Sequence, residues 1–348
     1  MNDGKSRLVA PIFLVTALTV AFAAAVSLGS VTVPVATILQ VIRLLLEPGD
    51  SLSGELSREL RSAYAILYHI RFPRAVAALF AGGALALSGA VVQGLFRNPM
   101  AGPDILGISA GSSLGAVLAI VSGLAALHPL AVPGSAFVGA LCAALFVYTI
   151  AAGRGGTQLL FVILAGLAVS SLLSGLVSAV LIFAEEHAVN QFIFWTMGGL
   201  EGRSWQTVLP PLPFIAVLSL LLMGVASPLN LLTLGDEQAH SLGVRVEALK
   251  VGILVGAAML TAMAIALAGP IAFVGLMVPH LVRLLTGPDH RTLLPYSLAA
   301  GGIFLLLSDL VGRMAFRPFE IRTGIITAVI GGPYFIFLIL RYQRRGSV

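Results

Sequence analysis

The apolar residues of this chain fall into long runs separated by short polar stretches. Ten such runs can be drawn, at residues 8–28, 75–96, 105–126, 130–151, 158–184, 207–226, 249–268, 271–286, 292–314 and 323–341. A bilayer core about 30 Å thick takes roughly 20 residues of helix, so each run is read as a transmembrane span. The eighth run is short and contains Pro279; without it the C-terminus would change sides. The pattern predicts an all-α polytopic membrane protein of about ten helices, with residues 1–348 forming a single transmembrane domain. The first run lies behind Lys5 and Arg7 and ends near small residues at Ala23–Ala25, as a signal peptide would. At about twenty residues it exceeds the 7–15 of a secretory apolar region, and we read it as a retained span.

Three polar intervals do not span. Residues 43–74 carry Glu47, Asp50, Glu55, Arg58, Glu59 and Arg61 and predict a long loop with a short surface helix. Residues 185–206 contain NQFIFWTMGGL, whose Phe192, Phe194 and Trp195 suit the aromatic belt at a membrane interface. Residues 227–248 are the most polar stretch of the second half. Within them Gly235 and Gly243 bracket a short helix-forming segment with Asp236 and Glu237 in its first turn, where acids complement the helix dipole.

Composition agrees with lipid as the solvent. Of 348 residues, 58% are hydrophobic and 10% charged, against roughly 25% charged in a soluble domain. The 38 glycines suit helices packed backbone to backbone. Cys142 is the only cysteine, which excludes a disulfide within the chain. A net charge of +5 is too thinly spread for nucleic acid. With the N-terminus in the cytoplasm, eleven of the Lys and Arg residues fall inside and nine outside, the latter clustered at 58–74 and 313–322. The positive-inside rule favours that orientation, with both termini cytoplasmic.

Several motifs invite chemistry that their context denies. Gly4-Lys5-Ser6 lacks the earlier glycine and the strand of a phosphate-binding loop. Gly107-Ile-Ser109-Ala-Gly111 spells the GxSxG of a hydrolase elbow, but it opens a membrane helix. Gly107, Gly111 and Gly115 are four apart and read instead as a helix-packing ladder. The six histidines show no metal-ligand spacing, so no metal site is expected. His280 is either a packing residue or a pathway residue. Asp309 is the carboxylate deepest in an apolar run, and Arg313 one turn on can neutralise it. A self-paired acid is a poor proton relay, which argues against an ion-driven carrier. Gly89/Arg97 and Gly275/Arg283 share an eight-residue spacing, an echo that is either a trace of repeated halves or chance.

The stretches RFPRAVAALFAGGALALSGAVVQGLFRNPMAGPDILGISAGSSLG, LGDEQAHSLG, GPIAFVGLMVPHLVRLL and LLLSDLVGR resemble the FecCD family of binding-protein-dependent ABC permeases, from about residue 70 to the C-terminus. The resemblance implies the type II ABC importer fold in the bacterial inner membrane. It implies a homodimer around a central pathway, a cytosolic ABC ATPase dimer below and a periplasmic substrate-binding protein above. Carried over by position, Arg71, Arg74 and Arg313 match docking positions for acidic residues of the binding protein; interfacial snorkelling is the plain alternative. Leu234, Gly235, Asp236, Glu237, Ala239, Ser241, Leu242 and Gly243 match the helix that fits the ATPase. Asn98, Met100 and Thr157 match the loops of the cytoplasmic gate, although a methionine stands where relatives often have leucine and Gly155-Gly156 loosens the second loop. The resemblance implies no active site and no cofactor in this chain, ATP and magnesium belonging to the partner. The cargo it implies is an iron chelate, heme or a ferric siderophore, with cobalamin as the alternative. An ion-coupled carrier and an intramembrane hydrolase are the rivals from other classes.

Overall fold

The computed structural model describes residues 3–29, 31–46, 57–153 and 156–345. Glu47, Asp50 and Glu55 lie outside the described residues, as do Arg154 and Gly155. Seventeen helices follow in chain order among these residues: α1 (Asp3–Ser27), α2 (Val35–Leu46), α3 (Arg58–Tyr64), α4 (Phe72–Phe96), α5 (Ile108–Val121), α6 (Leu124–Leu127), α7 (Ala131–Ala151), α8 (Leu159–Ile182), α9 (Glu186–Thr196), α10 (Trp205–Val208), α11 (Leu212–Gly224), α12 (Ala226–Leu232), α13 (Asp236–Ser241), α14 (Val246–Ala268), α15 (Val274–Thr286), α16 (His290–Met314) and α17 (Thr323–Arg345). The one ladder among the described residues is a two-residue antiparallel pair, β1 (Ala152–Gly153) with β2 (Gly156–Thr157).

Seven segments are long and apolar enough to cross a membrane: Arg58–Phe96, α7, α8, Trp205–Gly224, α14, α16 and Thr323–Arg341. Four shorter apolar helices accompany them among the described residues, Pro11–Ser27, Val35–Leu45, Ile108–Val121 and Val274–Thr286; those in α1, α5 and α15 coincide with expected runs, whereas the one in α2 does not. Contacts sort their ends onto two faces. Arg97, Asp236 and Lys250 meet on one, with Asn230 and Asp289. Arg71 with Val26, Trp205 with Tyr68, and Gly199 with Ala268 meet on the other. The end of α1 and the start of α17 lie on this second face, so the start of α1 and the end of α17 point towards the α13 face.

Small residues place α4 at the centre. In its most apolar 18-residue stretch the segment it closes is 83% buried and α14 is 72% buried, against 22–44% for the corresponding stretches of the other long spans. Lipid gives helices no hydrophobic reason to associate, so contact depends on close van der Waals packing. Gly82 and Gly301 let α4 and α16 touch backbone to backbone: a Cβ on either would lie 2.3 Å from the other's carbonyl oxygen. Where α4 crosses α15, a Cβ on Gly89 would lie 1.6 Å from the Gly275 oxygen. The two echoed glycines of the sequence are thus in contact with each other.

Some boundaries differ from expectation. The interval 43–74 is mostly helix: α2 ends within it, and α3 runs through a π-helical turn (Ala65–Arg71) straight into α4. Pro73 explains the turn. It cannot donate, and its ring crowds the carbonyl four residues back; widening the helix to an i→i+5 bond relieves both. The wider turn also leaves the Tyr68 carbonyl to accept from the Trp205 indole at 2.8 Å. The third run starts later than expected, because Pro103–Leu106 form a 3-10 turn and Gly107, at φ +70°, restarts the helix.

Gly89→Val should cost on the order of 3 kcal/mol, since backbone rather than a flexible side chain stands in the way. Thermal unfolding in detergent should show a lowered Tm; an unchanged Tm would mean that the α4–α15 crossing is looser than this.

Candidate translocation site and its two faces

The α13 face is built around one carboxylate. Asp236 opens α13 and accepts from Arg97 at the end of α4 and from Lys250 in α14, the latter at 2.5 Å. Burial alone would raise the Asp236 carboxyl, but Lys250 and then Arg97 outweigh it and hold it below the ordinary carboxylate range. Arg97 takes a left-handed backbone, φ +50°, to cap α4 and reach this acid. Such a conformation costs a non-glycine residue about 1–3 kcal/mol and persists where surrounding contacts hold it. Gly235 and Gly243, at φ +122° and +87°, turn the chain into and out of α13. Ala239 is buried beneath it, while Leu234, Glu237, Ser241 and Leu242 face outward, the two leucines more than half exposed. Beside this helix, Asn230 donates to Asp289 at 2.6 Å and accepts from the His290 amide at 3.0 Å, tying α12 to the start of α16.

The loop between α4 and α5 leads inward. Asn98 accepts from the Met100 amide at 2.9 Å, closing a tight turn, and Met100 lines a cavity of about 500 Å³. Thr157 lies in β2, whose pairing with β1 closes the neighbouring loop. The cavity walls are mostly apolar, with Leu85, Ile265, Phe273 and Leu276 among them. Phe273 takes a left-handed conformation (φ +67°) where the chain unwinds between α14 and α15. Asp104 also lines the cavity, and Ser109 donates to it. That bond ties the 3-10 turn before α5 to the first turn of the helix. Gly111 and Gly115 press α5 onto α7, where a Cβ would lie 2.4 Å from the Gly139 oxygen and 2.0 Å from the Ser135 oxygen. Gly107 stands apart from that contact, as the cap of α5.

On the opposite face the structure corrects the reading of the arginines. Arg71, Arg74 and Arg313 are only 4%, 7% and 4% exposed. Arg71 donates to the carbonyls of Val26, Ser27 and Val31, at and beyond the end of α1. Arg313 donates to those of Ala25 and Leu28 and pairs with Asp309 at 3.0 Å. Arg74 grips both Asp309 oxygens at 3.0 Å and Glu320 at 2.8 Å, while Thr323 donates to the same aspartate. These forks are filled from within the chain, so they cannot serve as free docking forks for another protein's acids. The expected Asp309–Arg313 pair is present, enlarged by α4 and α17. Solvent-exposed charge on this face includes Arg58, Glu59 and Arg61 of α3, with Arg317 and Glu320 beside the buried cluster.

A model of the FecCD transport family matches residues 17–341. The chain belongs to the FecCD transport family. It is 45% identical over 278 residues to the cobalamin import system permease protein BtuC of Halobacterium salinarum, covering 80% of this chain and 74% of that one. It is 38% identical over 322 residues to the hemin transport system permease protein HmuU of Yersinia pestis, covering 89% and 96%. Among solved structures, an inward-facing conformation of a transporter described as being of the metal-chelate ABC type superposes with a TM-score of 0.77 at 30% identity, covering 94% of this chain and 97% of that one.

In this FecCD chain the sequence reading missed Asp104 and the partners of Asp236. Asp104 follows a proline in PMAGPDILG, and an acid within an otherwise apolar loop was the available signal. Nothing local could have paired Asp236 with Arg97, which is 139 residues away.

Asp309→Ala should strand Arg74 and Arg313 in a buried site and cost about 3–5 kcal/mol. The expected result is a large fall in Tm, or loss of folded protein, in detergent. A Tm within a degree or two of the parent would mean that water reaches the cluster.

Proposed function

We propose that this chain, the permease subunit of an ABC importer, carries a metal chelate inward across a bacterial cytoplasmic membrane, with the α13 face in the cytoplasm. Two copies enclose the pathway, an ATPase dimer of separate chains binds α13, and a binding protein delivers cargo to the opposite face. The chain needs no cofactor of its own, ATP and magnesium residing on the ATPase. Cargo is an iron chelate such as heme or a ferric siderophore, or cobalamin; the relatives named for hemin and cobalamin support this range.

The observation that carries the reading is the fastening of α13. Asp236 ties this exposed helix to α4 and α14, the most buried spans, and both contribute residues to the cavity wall. A push on α13 therefore reaches the pathway through two short ionic contacts. An importer driven from outside its own chain needs such a lever, whereas a secondary carrier needs ionisable groups along its path. On the delivery face, the buried arginines hold the receiving surface in shape, and a docking partner meets α3 instead.

Leu242→Glu places a charge where the ATPase cleft would bury an exposed leucine. It should reduce co-purification of the ATPase at least tenfold and abolish ATP-driven uptake in proteoliposomes, while the permease alone keeps its Tm. Uptake by the permease alone under an ion gradient would overturn the importer reading.

A further inference from the structure

The cavity contains one charged group that neither the lever nor the expected gate uses. Among the described residues that line it, Asp104 is the sole ionisable side chain. It lies in the 3-10 turn between α4 and α5, surrounded by protein, yet its side chain is exposed to the open cavity. Ser109 at the start of α5 donates to one carboxylate oxygen. The second oxygen has no protein partner among the described residues. No cation contributes to its electrostatic surroundings; burial pushes the carboxyl up from its ordinary range and the Ser109 bond pulls it partly back. The nearby polar lining is neutral. Thr196 returns its hydroxyl hydrogen to the Ile193 carbonyl, and Thr261 is engaged with Ser88. What the wall offers a passing solute is therefore a single strong acceptor amid apolar side chains, doubled if two copies enclose the pathway.

We propose that Asp104, held by Ser109 in the cavity wall, is a cargo-selecting residue that favours metal chelates bearing amide N–H groups or positive charge over chelates bearing free carboxylates. Burial disfavours the ionised form and rising pH restores it, so the preference belongs to the upper pH range; there the ionised oxygen accepts from an N–H about twice as strongly as a neutral acceptor does. A carboxylate passing the same point meets like charge in a poorly screened setting. A corrinoid edged with carboxamides fits this wall better than a porphyrin edged with two propionates. The inference rests on the importer reading above and deepens it by naming a cargo class.

A matched pair of cargoes tests it. Cyanocobalamin and its monocarboxylate derivative differ by one amide replaced with a carboxylate; hemin serves as a third cargo. Uptake is measured in proteoliposomes holding the permease, its ATPase and its binding protein, with parent and Asp104→Asn compared for each cargo so that the binding protein's own preference cancels. The ratio of cyanocobalamin to monocarboxylate uptake should fall about tenfold in Asp104→Asn, and hemin uptake relative to cyanocobalamin should rise. Asp104→Glu should keep the parental ratio. Both variants should keep the parental Tm in detergent and co-purify with the ATPase, which a damaged fold would not allow. An unchanged ratio in Asp104→Asn, or an equal loss for all three cargoes, overturns the proposal. If the parent shows no ATP-dependent uptake of any cargo, the importer reading fails and this inference falls with it, an outcome told apart by the silent parent.

Discussion

A guanidinium in a bilayer has no water to turn to, so each buried arginine must find its acceptors within the protein. Around that constraint the face opposite α13 is organised. Four carbonyls at the end of α1 (Ala25, Val26, Ser27 and Leu28) lack helical partners and carry the negative end of its dipole. Arg71 and Arg313 supply both hydrogen bonds and positive charge. Asp309 then offsets the surplus of cations and recruits Arg74, which in turn holds Glu320. Three arginines and two acids, with the carbonyl end of α1 facing the surplus positive charge, thus fasten α1, α4, α16 and the approach to α17.

On the other face the same chemistry serves a different mechanical end. The Asp236 contacts are partly exposed, so their strength is tempered by water and salt, as surface ion pairs are. That suits a joint expected to reorient, whereas the buried arginine cluster suits one that stays fixed. Between the two joints the spans meet through glycine and alanine, which pack densely but present smooth surfaces. A crossing such as Gly89 on Gly275 can transmit displacement with few side chains to rearrange. The fold therefore has a rigid end, a yielding end and a stiff centre.

How much of this could be read in the chain depended on the range of the interaction involved. Spans were legible because hydropathy is local: α7, α8, α14 and α16 fall within a few residues of their apolar runs. The short helix at Asp236 was legible too, from two glycines and two acids. The π turn was not, although Pro73 stood in view, because a proline near an apolar run signals a boundary as readily as a bulge. The arginines were read as awaiting acids of another protein, whereas each has acceptors within the chain. Arg71 meets Val26 across 45 residues and Arg74 meets Asp309 across 235, and no periodicity carries that information. Position alone cannot distinguish an arginine awaiting a partner from one that already has it.

The cavity shows why a weak preference is the useful kind. A pathway that held its cargo with a Kd of 1 μM would oblige each cycle to overcome about 8 kcal/mol before release. Apolar walls with little shape of their own avoid that trap for bulky solutes, but they also accept anything greasy of the right size. One acceptor contributes about 1.5–3 kcal/mol to a donor that suits it. That is enough to shift passage between related chelates by ten- to a hundredfold and far too little to arrest them. Asp104 sits on the loop that joins Met100 to the glycine-packed α5, and both residues line the cavity, so its preference acts in the wall of the proposed path. A selective contact there filters cargo at the step the lever controls, which lets a permease refine the choice made by the protein that delivers to it.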